Sequence, residues 1–532
     1  MNLRIISVLL VLASVLCGVE TPDAVDLTPL SSDEGPARAA ALKAIGASRE
    51  PRLISFLEDY RQNSAWLLDG KVVLVLDSLD DGQGQPLDPL TRVPLGALVA
   101  KSQLAEVPVR MKERRLAGEA IDRLRLADPN PVNRLNAVVR TGDGFTETAR
   151  VMLVPIAAAD EVPAIRRAAA EGVAMADLAV PASRAAAAGA LATLNSTRSL
   201  TRLKDVLATE QDDATKVAVN LAIADITSYQ SRIRVAQTIF SGLSAGSILI
   251  IMALGLSITF GLMGIINMAH GEMLMVGAYA SLLVSWAFHA WLPASFMPWY
   301  FPVGVIAGFG AAGVVGWLLE LTVIRHLYGR PLETLLATWG ISYLLIQTVR
   351  VSFGDNQAVT APGWLVGGWE PSPDLVLPWN RLFIIMLTAV SIIGVWLLLT
   401  KTRLGLLLRA TTQSRRTAGS LGVDTRRIDG LTFALGSGLA GAAGVALTLI
   451  GGLKPDMGQE FIIDSFLTVA AGGVGNLAGV VWAGLGLGII NKLLEPFVQT
   501  VYAKVLVLGL VILFLQFRPQ GIFPPRGRLA DV

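Results

Sequence analysis

Cysteine and histidine are nearly missing from this chain of 532 residues. The only cysteine is Cys17, and the only histidines are His270, His289 and His326. One cysteine excludes a disulfide framework and any metal site built on cysteine. Three scattered histidines also argue against a metal centre made of several histidines. The sequence therefore predicts neither a metal nor a cofactor.

Charged residues are scarce as well, and they are unevenly distributed. Lys, Arg, Asp and Glu make up 16% of the chain, against roughly one quarter in soluble proteins. From Ile239 to Val323 the only such residues are Glu272 and Glu320, whereas charges recur every few positions before about residue 235. We therefore expect a soluble first part and a membrane-embedded second part. The net charge of +2 gives no support for nucleic-acid binding.

A phosphate-binding loop is also absent from the sequence. The pattern Gly-x-x-x-x-Gly-Lys-Ser/Thr occurs nowhere, so the chain cannot hydrolyse ATP through such a loop. We expect a protein that is not itself an enzyme.

Residues 1–18 have the pattern of a signal peptide. Arg4 precedes an apolar run over residues 5–16, and the small residues Cys17 and Gly18 follow. A short positive region, an apolar core and small residues at its end are typical of export signals. Acylation of Cys17 is the alternative, although Leu16 is unfavourable for it. In both cases the segment that follows is exported.

Residues 20–230 are predicted to form a periplasmic α-helical domain. Alanine-rich amphipathic stretches occur at 37–47, 165–178, 183–194 and 214–226. Related patterns at 160–169 and 129–137 favour a small α-solenoid, because helical repeats bury their faces against their neighbours; an irregular helical bundle is the alternative. The strand-like run 72–76 is expected to pair with 92–98.

Residues 235–520 are predicted to form an all-α, polytopic membrane bundle of about eight segments, since each apolar run approaches the ~20 residues that a membrane helix needs. The predicted segments are 239–262, 272–292, 302–323, 335–352, 382–400, 431–452, 462–490 and 497–516. The seventh is too long for one simple crossing and contains the run Gly-Gly-Val-Gly-Asn at 472–476. We interpret it as two half-helices that meet at a glycine break, which is tolerated where backbone is buried or lines a cavity.

The distribution of basic residues predicts the orientation in the membrane. The loop 401–430 contains seven lysines or arginines, whereas 351–380 contains three acidic residues and no basic one. We therefore expect 401–430 and the tail 521–532 to be cytoplasmic, and the N-terminal domain to be external. The tail reaches the inside only if 462–490 enters and leaves by the same face.

The loop 401–430 is also the strongest candidate for a functional element. An amphipathic stretch, 404–412, is followed by a glycine-bearing turn and a second helix start. Such a compact cytoplasmic knob is suited to receiving force from ATPase subunits on other chains; a basic loop that only sets the orientation in the membrane is the alternative. The residues that we expect to serve this coupling are Arg409, Arg415, Arg416, Gly419 and Gly422.

Several motifs resemble those of one transporter family. Residues 264–272 (Gly-Ile-Ile-Asn-Met-Ala-His-Gly-Glu) are similar to a signature of branched-chain amino acid (LivH-like) ABC importer permeases, and 409–413, 419–422 and 430–441 resemble that family's coupling loop and the helix after it. The motifs at 455–466, 472–476, 491–496 and 517–523 resemble its urea-transporting, UrtB-type branch. That branch also carries an exported N-terminal extension.

The resemblance implies a bacterial inner-membrane permease subunit of a five-component importer for urea. Its partners would be a second homologous permease subunit, two ABC ATPase subunits, a periplasmic substrate-binding protein and the lipid bilayer. Docking of the binding protein is the role that we expect for the exported domain.

Polar residues inside membrane segments are candidates for a translocation path or gate, because they are expensive there. The residues that we select are Asn267, His270, Glu272, Gln347, Asp464, Gly473 and Asn476. Urea is neutral and rich in donors and acceptors, so amide and backbone partners suit it. The alternative for 267–272 is a hairpin whose side chains satisfy one another, and for Asn476 it is packing alone.

Three other functions remain to be weighed. A permease for branched-chain amino acids or short amides shares the mechanism, and competition between urea and leucine separates the two. An ATP-independent urea channel would keep working without an ATPase. Enzymatic hydrolysis of urea fails, since it needs a histidine-rich metal centre.

Overall fold

The computed structural model describes residues 26–32, 34–48, 50–76, 83–372 and 374–523. The signal-peptide prediction for 1–18 and the end of the predicted tail, 524–532, lie outside the described residues. The chain divides into two compact units, Met1–Gln230 and Ser231–Val532.

The first unit is mainly helical, with short strands near its beginning. Its helices are α1 (Gly35–Ala47), α2 (Leu53–Arg61), α3 (Met111–Arg125), α4 (Pro131–Gly142), α5 (Glu147–Ala159), α6 (Pro163–Asp177), α7 (Arg184–Thr193), α8 (Leu200–Thr209) and the first part of α9 (Asp213–Leu256). Its strands are β1 (Ala65–Leu68), β2 (Lys71–Leu74), β3 (Gln83–Gly84), β4 (Val99–Ala100) and β5 (Ala105–Glu106). Short 3-10 helices cover Thr28–Ser31, Lys101–Gln103, Pro181–Ser183 and Thr197–Ser199.

The predicted pairing of 72–76 with 92–98 is wrong. Strand β2 pairs with β1 in a hairpin, with Ala65 opposite Leu74. Asp69 and Gly70 form the turn with positive φ at both positions, which is the geometry that favours Asp-Gly in two-residue hairpins. The segment 92–98 reaches this region only through single bridges, from Leu74 to Leu87 and from Leu87 to Pro94.

A buried ion pair joins α1 to α3 in the core of the first unit. The Arg38 guanidinium donates to Oε1 of Glu113 through Nη2 at 2.9 Å and Nε at 3.2 Å, and both side chains are buried. Burial alone would raise the pKa of Glu113, but the hydrogen bond and charge of Arg38 together with backbone hydrogen bonds outweigh it and hold that pKa below its usual value. The pair is therefore charged at neutral pH.

One contact recurs along the helices of the first unit. Arg134, Arg166 and Arg184 each follow a proline by three positions, and each donates to the carbonyl oxygen of the residue six positions earlier in the chain. Arg134 also bonds Asp160, and Arg184 bonds Glu210, 26 positions later in both cases. The same linkage thus ties the start of α4 to the residues just before α6, and the start of α7 to those just before α9.

The second unit is a helical bundle. Its helices are the rest of α9, α10 (His270–Trp291), α11 (Tyr300–Thr322), α12 (Pro331–Phe353), α13 (Trp379–Lys401), α14 (Arg403–Gln413), α15 (Arg415–Ser420), α16 (Thr425–Leu447), α17 (Met457–Gly472), α18 (Leu477–Leu494) and α19 (Thr500–Phe517). Smaller elements are a π-helical turn (Ser257–Leu262), 3-10 helices at Ala294–Trp299, Ile324–His326 and Gly363–Leu365, and strands β6 (Gly368–Ser372) and β7 (Leu375–Pro378).

The predicted all-α membrane bundle is confirmed, although some helix boundaries differ from the predicted segments. Over the described ranges, six helices are long and apolar enough to cross a membrane, and Val501–Phe517 is a shorter apolar helix. The predicted segment 335–352 is the helix α12, which is outside those six, and 462–490 is two helices, α17 and α18. The first predicted segment, 239–262, lies within one long helical stretch, because α9 begins at Asp213 and continues into the π-helical turn.

Helices α10, α11 and α16 form the centre of the second unit through glycine contacts. A Cβ at Gly277 would collide with Gly441, and one at Gly444 would collide with the Leu274 carbonyl. Small residues let membrane helices approach closely where apolar side chains gain nothing from leaving lipid.

Helices α17 and α18 form an antiparallel hairpin. Gly472 packs against Gly479, where an added Cβ would lie 2.5 Å from the Gly479 carbonyl carbon, and Thr468 packs against Gly484 further along. The segment 462–490 therefore turns back on itself at the predicted glycine break.

The two ends of the second unit differ in character. We call the end that carries residues 401–430 the basic end. The opposite end is closed by backbone pairing of Gln357 with Leu453 and by a hydrogen bond of 3.0 Å from the Asn380 amide to the Leu449 carbonyl.

Candidate functional site

The basic end carries a compact knob made of α14, α15 and the start of α16. Three side chains cap the three helix starts: Thr402 accepts from the Gly405 amide, Ser414 from Thr417 and Asp424 from Arg427. Such caps stabilise a helix start by satisfying an otherwise free backbone N–H. They explain why three helices can start in quick succession, at Arg403, Arg415 and Thr425.

The knob has a buried face and an exposed face. Leu408, Ala418 and Ile428 point into the bundle. Four of the five predicted coupling residues lie on the exposed face: Arg409, Arg416, Gly419 and Gly422. Gly422 has a φ of 84°, a conformation that glycine adopts without strain. Next to it, Leu421 is 79% exposed, which makes it an apolar contact point on a basic surface.

Arg415, the fifth predicted coupling residue, is also exposed, but its guanidinium contacts the membrane helices. Its guanidinium forms an ion pair with Asp429 of α16, and it lies over the Tyr328 ring, 4.3 Å from the ring centroid. Arg415 thus fastens the knob to the membrane helices, and its role in coupling stays a prediction, as does that of its exposed neighbour Arg416.

Further charges surround this anchor. Arg325 bonds the buried Glu320 of α11 at 3.3 Å. Burial, together with the carboxylates of Asp429 and Glu320, raises the pKa of the Tyr328 phenol above its usual value. The cluster thus connects the knob with both α11 and α16, which makes it a mechanical link between the basic end and the bundle.

The signature residues Asn267, His270 and Glu272 are all buried near the start of α10. Asn267 accepts from the Ala269 amide at 3.0 Å, and Nε2 of His270 lies 3.2 Å from the Met252 carbonyl. Among the described residues neither carboxyl oxygen of Glu272 has a hydrogen-bond partner. The three side chains therefore do not satisfy one another, contrary to the packing alternative.

Helix α12 contributes a polar stripe that the sequence did not draw attention to. Thr334, Thr338 and Ser342 are buried at intervals of four residues, and Thr338 accepts from the Met268 amide at 3.1 Å. The Ser342 hydroxyl approaches Glu272. Gln347, which we predicted as a path residue on this helix, lies instead on its exposed side.

The glycine break lies at the basic end and is covered by the C-terminal segment. The Ile522 amide donates to the Ala471 carbonyl at 2.8 Å, and Phe523 donates to Gly472 at 3.3 Å. The last carbonyls of a helix lack partners within that helix, so the tail supplies them. A Cβ at Gly261, in the π-helical turn, would lie 2.6 Å from the Gly475 nitrogen.

The remaining predicted path residues have separate surroundings. Asn476 caps α18 by accepting from the Gly479 amide at 3.1 Å, which supports a structural role. Gly473 has a φ of 101° and packs against the carbonyl of Phe523. Asp464 is half-buried in the middle of α17, away from both. The structure thus does not gather the predicted path residues into one site.

Comparisons with known proteins agree on one family. A family model described as the permease component of branched-chain amino acid transport systems matches residues 238–515. The high-affinity branched-chain amino acid transport system permease protein BraD of Pseudomonas aeruginosa is 30% identical over 295 residues, which cover 54% of this chain and 94% of BraD. The corresponding protein LivH of Escherichia coli K12 is 30% identical over 300 residues, with the same coverage.

A more distant relative also matches this chain, whereas the comparison with solved structures found no match. The permease protein LivM of Escherichia coli K12 is 26% identical over 304 residues, 52% of this chain and 68% of LivM. The first unit, up to Gln230, precedes the residues that the family model matches.

Proposed function

The chain belongs to the family of permease components of branched-chain amino acid transport systems, and on that premise we propose that it is a multi-pass inner-membrane subunit of an ATP-driven importer. It forms the translocation path together with a second homologous permease subunit. Two ATPase subunits and a periplasmic substrate-binding protein complete the assembly.

The exposed face of the knob is the observation that carries this proposal. Arg409, Arg416 and Leu421 stand on a surface whose base is fixed by Arg415 to Asp429 of α16. A push on this surface is transmitted through an ion pair rather than through a loose loop. An ATP-independent channel has no use for such a connection.

Dependence of uptake on the ATPase subunits tests this function. With all five components reconstituted in vesicles, we expect solute uptake to stop when the ATPase subunits carry a substitution that blocks hydrolysis. Uptake that continues at the same rate would instead establish a channel.

The cargo that we propose is urea. Two observations support it: the motifs at 455–466, 472–476, 491–496 and 517–523 resemble the urea-transporting branch, and a whole unit precedes the family match. The relatives named above are almost completely covered by about half of this chain. The additional N-terminal unit is consistent with a branch of the family that transports a different solute and uses a different binding protein.

Branched-chain amino acids are the second candidate, because the printed names of the relatives specify them. Competition separates the two. We expect excess urea to abolish uptake of labelled urea while excess leucine leaves it unchanged. Uptake of labelled leucine that urea does not inhibit would assign the chain to amino acids.

We also propose an orientation, with the basic end in the cytosol and the first unit in the periplasm. The seven basic residues of 401–430 and the acidic character of 351–380 support it. Protease added to intact spheroplasts should cleave the first unit and spare 401–430. Cleavage of 401–430 alone would reverse the orientation.

A further inference from the structure

We propose that one flank of α17 and α19, which carries Glu460, Asp464 and Lys504, faces water in the assembled transporter, at its seam with the second permease subunit. We call it the charged flank. This inference rests on the proposed function as one of two permease subunits.

The three side chains form one electrostatic group. Nζ of Lys504 lies 3.5 Å from Oε2 of Glu460, with 41% and 62% of the two side chains exposed. Asp464 follows Glu460 by one helical turn and is attracted by the same lysine. Within the described part of the chain, its carboxylate makes no hydrogen bond and no ion pair. The group is therefore incomplete in this chain alone.

Asp464 lies in the middle of α17, a helix that we place within the membrane. Helix α17 has 16 residues, or about 24 Å at 1.5 Å per residue, and Asp464 is the eighth. A lysine stem can extend to the headgroups from such a depth, but an aspartate side chain is too short to do so. Ionisable side chains inside the membrane face the bundle interior or a water-filled cavity.

Other ionisable groups in the described membrane helices do not share this position. Glu272, Glu320 and Asp429 are buried, and Arg350 and Lys492 lie within one turn of a helix end. Asp464 alone combines a central position with partial exposure. Lipid contact would be most costly for this residue.

The other flank of α19 is apolar, as expected for a surface that faces lipid. Val505, Leu506 and Leu510 are exposed and apolar. Between the two flanks runs the buried stripe of Ala503, Val507 and Val511. The helix therefore separates an apolar flank from the charged one. A permease of this family works beside a homologous subunit. We therefore expect the charged flank to face that subunit and the water between the two.

Thiol labelling tests this assignment directly, because the chain has a single cysteine. In a Cys17→Ser background, Asp464→Cys and Glu460→Cys are introduced one at a time. Leu506→Cys is the matched control: it is 52% exposed and lies at nearly the same depth as Lys504, on the apolar flank. All variants are produced with the partner subunits and treated in membranes with a membrane-impermeant cationic thiosulfonate.

We expect the cysteines at 464 and 460 to react on the order of tenfold or more faster than the one at 506, because the thiolate is the reactive form and neither it nor the reagent enters hydrocarbon. Reaction after denaturation confirms that every thiol is intact. A cysteine at 464 that reacts as slowly as the one at 506 in the assembled complex would overturn the inference.

Transport measured in parallel separates this inference from the proposed function. Fast labelling without uptake of urea or leucine leaves the charged flank in water and rejects the proposed cargo. Energised uptake with no labelling at 464 or 460 keeps the function and rejects the charged flank. If Asp464→Cys fails to assemble, Glu460→Cys decides alone, because Glu460 is mainly exposed.

Discussion

Replacing Arg415 by alanine should release the knob from the membrane helices. The change removes the ion pair with Asp429 and the contact with the Tyr328 ring. Arg416→Ala is the control, since that side chain is the next basic residue and is exposed. Both variants remove one positive charge from the knob, but only Arg415→Ala removes its connection to α16.

The structure gives the size of the effect. Breaking a fully buried ion pair costs about 3–5 kcal/mol. Asp429 is buried, with 4% of its side chain exposed, but Arg415 is 45% exposed, so water screens the pair. We therefore expect a loss of about 2 kcal/mol in the docking of the knob, including the aromatic contact. This corresponds to a roughly 30-fold change in an equilibrium, at about 1.4 kcal/mol per tenfold.

Hydrogen exchange of the assembled complex measures this change. The amides of Ala418, Leu421 and Val423 are bonded to carbonyls within the knob, and they should exchange roughly 30-fold faster in Arg415→Ala. They should keep their protection in Arg416→Ala. ATP hydrolysis should continue in both variants while uptake falls, because one variant loosens the knob and the other alters its contact surface.

A double variant tests whether the ion pair is the cause. Arg415→Ala leaves a buried carboxylate without its partner, so adding Asp429→Asn should restore part of the protection. Equal protection in wild type and Arg415→Ala, or strictly additive effects in the double variant, would refute the connection.

The remaining predictions concern other parts of the chain. The folded-state pKa of Glu113 is lowered, so its ion pair with Arg38 stabilises the first unit at pH values above the usual carboxyl pKa. This stability is lost as the pH falls through the lowered pKa. Glu113→Gln should remove this part of the pH dependence, as measured by hydrogen exchange of the backbone amides of α1 and α3. Ile522→Pro removes the amide that donates to the Ala471 carbonyl and should destabilise the covering of the glycine break by about 1 kcal/mol. Hydrogen exchange of the amides at the break should therefore be faster in Ile522→Pro and unchanged in Ile522→Val. Gly444→Ala should prevent assembly, because its Cβ would meet the Leu274 carbonyl, and detergent-stable complex is the readout. Deleting residues 30–228 should weaken uptake that depends on the binding protein; unchanged uptake would reject that role.

The sequence predicted the membrane helices well because length and hydropathy decide them locally. The glycine run at 472–476 marked the end of α17 and the start of α18, since glycine commonly ends a helix and asparagine commonly caps the start of the next one. The hairpin of β1 and β2 was missed although Asp69-Gly70 is a strong local turn signal. The local turn signal therefore suffices to predict this hairpin.

Tertiary contacts account for what the sequence could not reveal. That Arg415 contacts the membrane helices depends on Asp429, 14 residues later, and on an aromatic ring from another loop. The tail covers the break through backbone amides, which carry no side-chain pattern. Asn476 has the same sequence context whether or not it caps a helix, and only its bond to Gly479 reveals the cap.

Photo-crosslinking from the knob tests the coupling surface most directly. A photoreactive amino acid at position 421, where the native leucine is 79% exposed, should capture an ATPase subunit in the assembled complex. The same group at position 376, an exposed valine at the opposite end, should not. Capture at 376 and none at 421, with ATP-driven uptake intact, would contradict the assignment of the basic end as the surface that the ATPases drive.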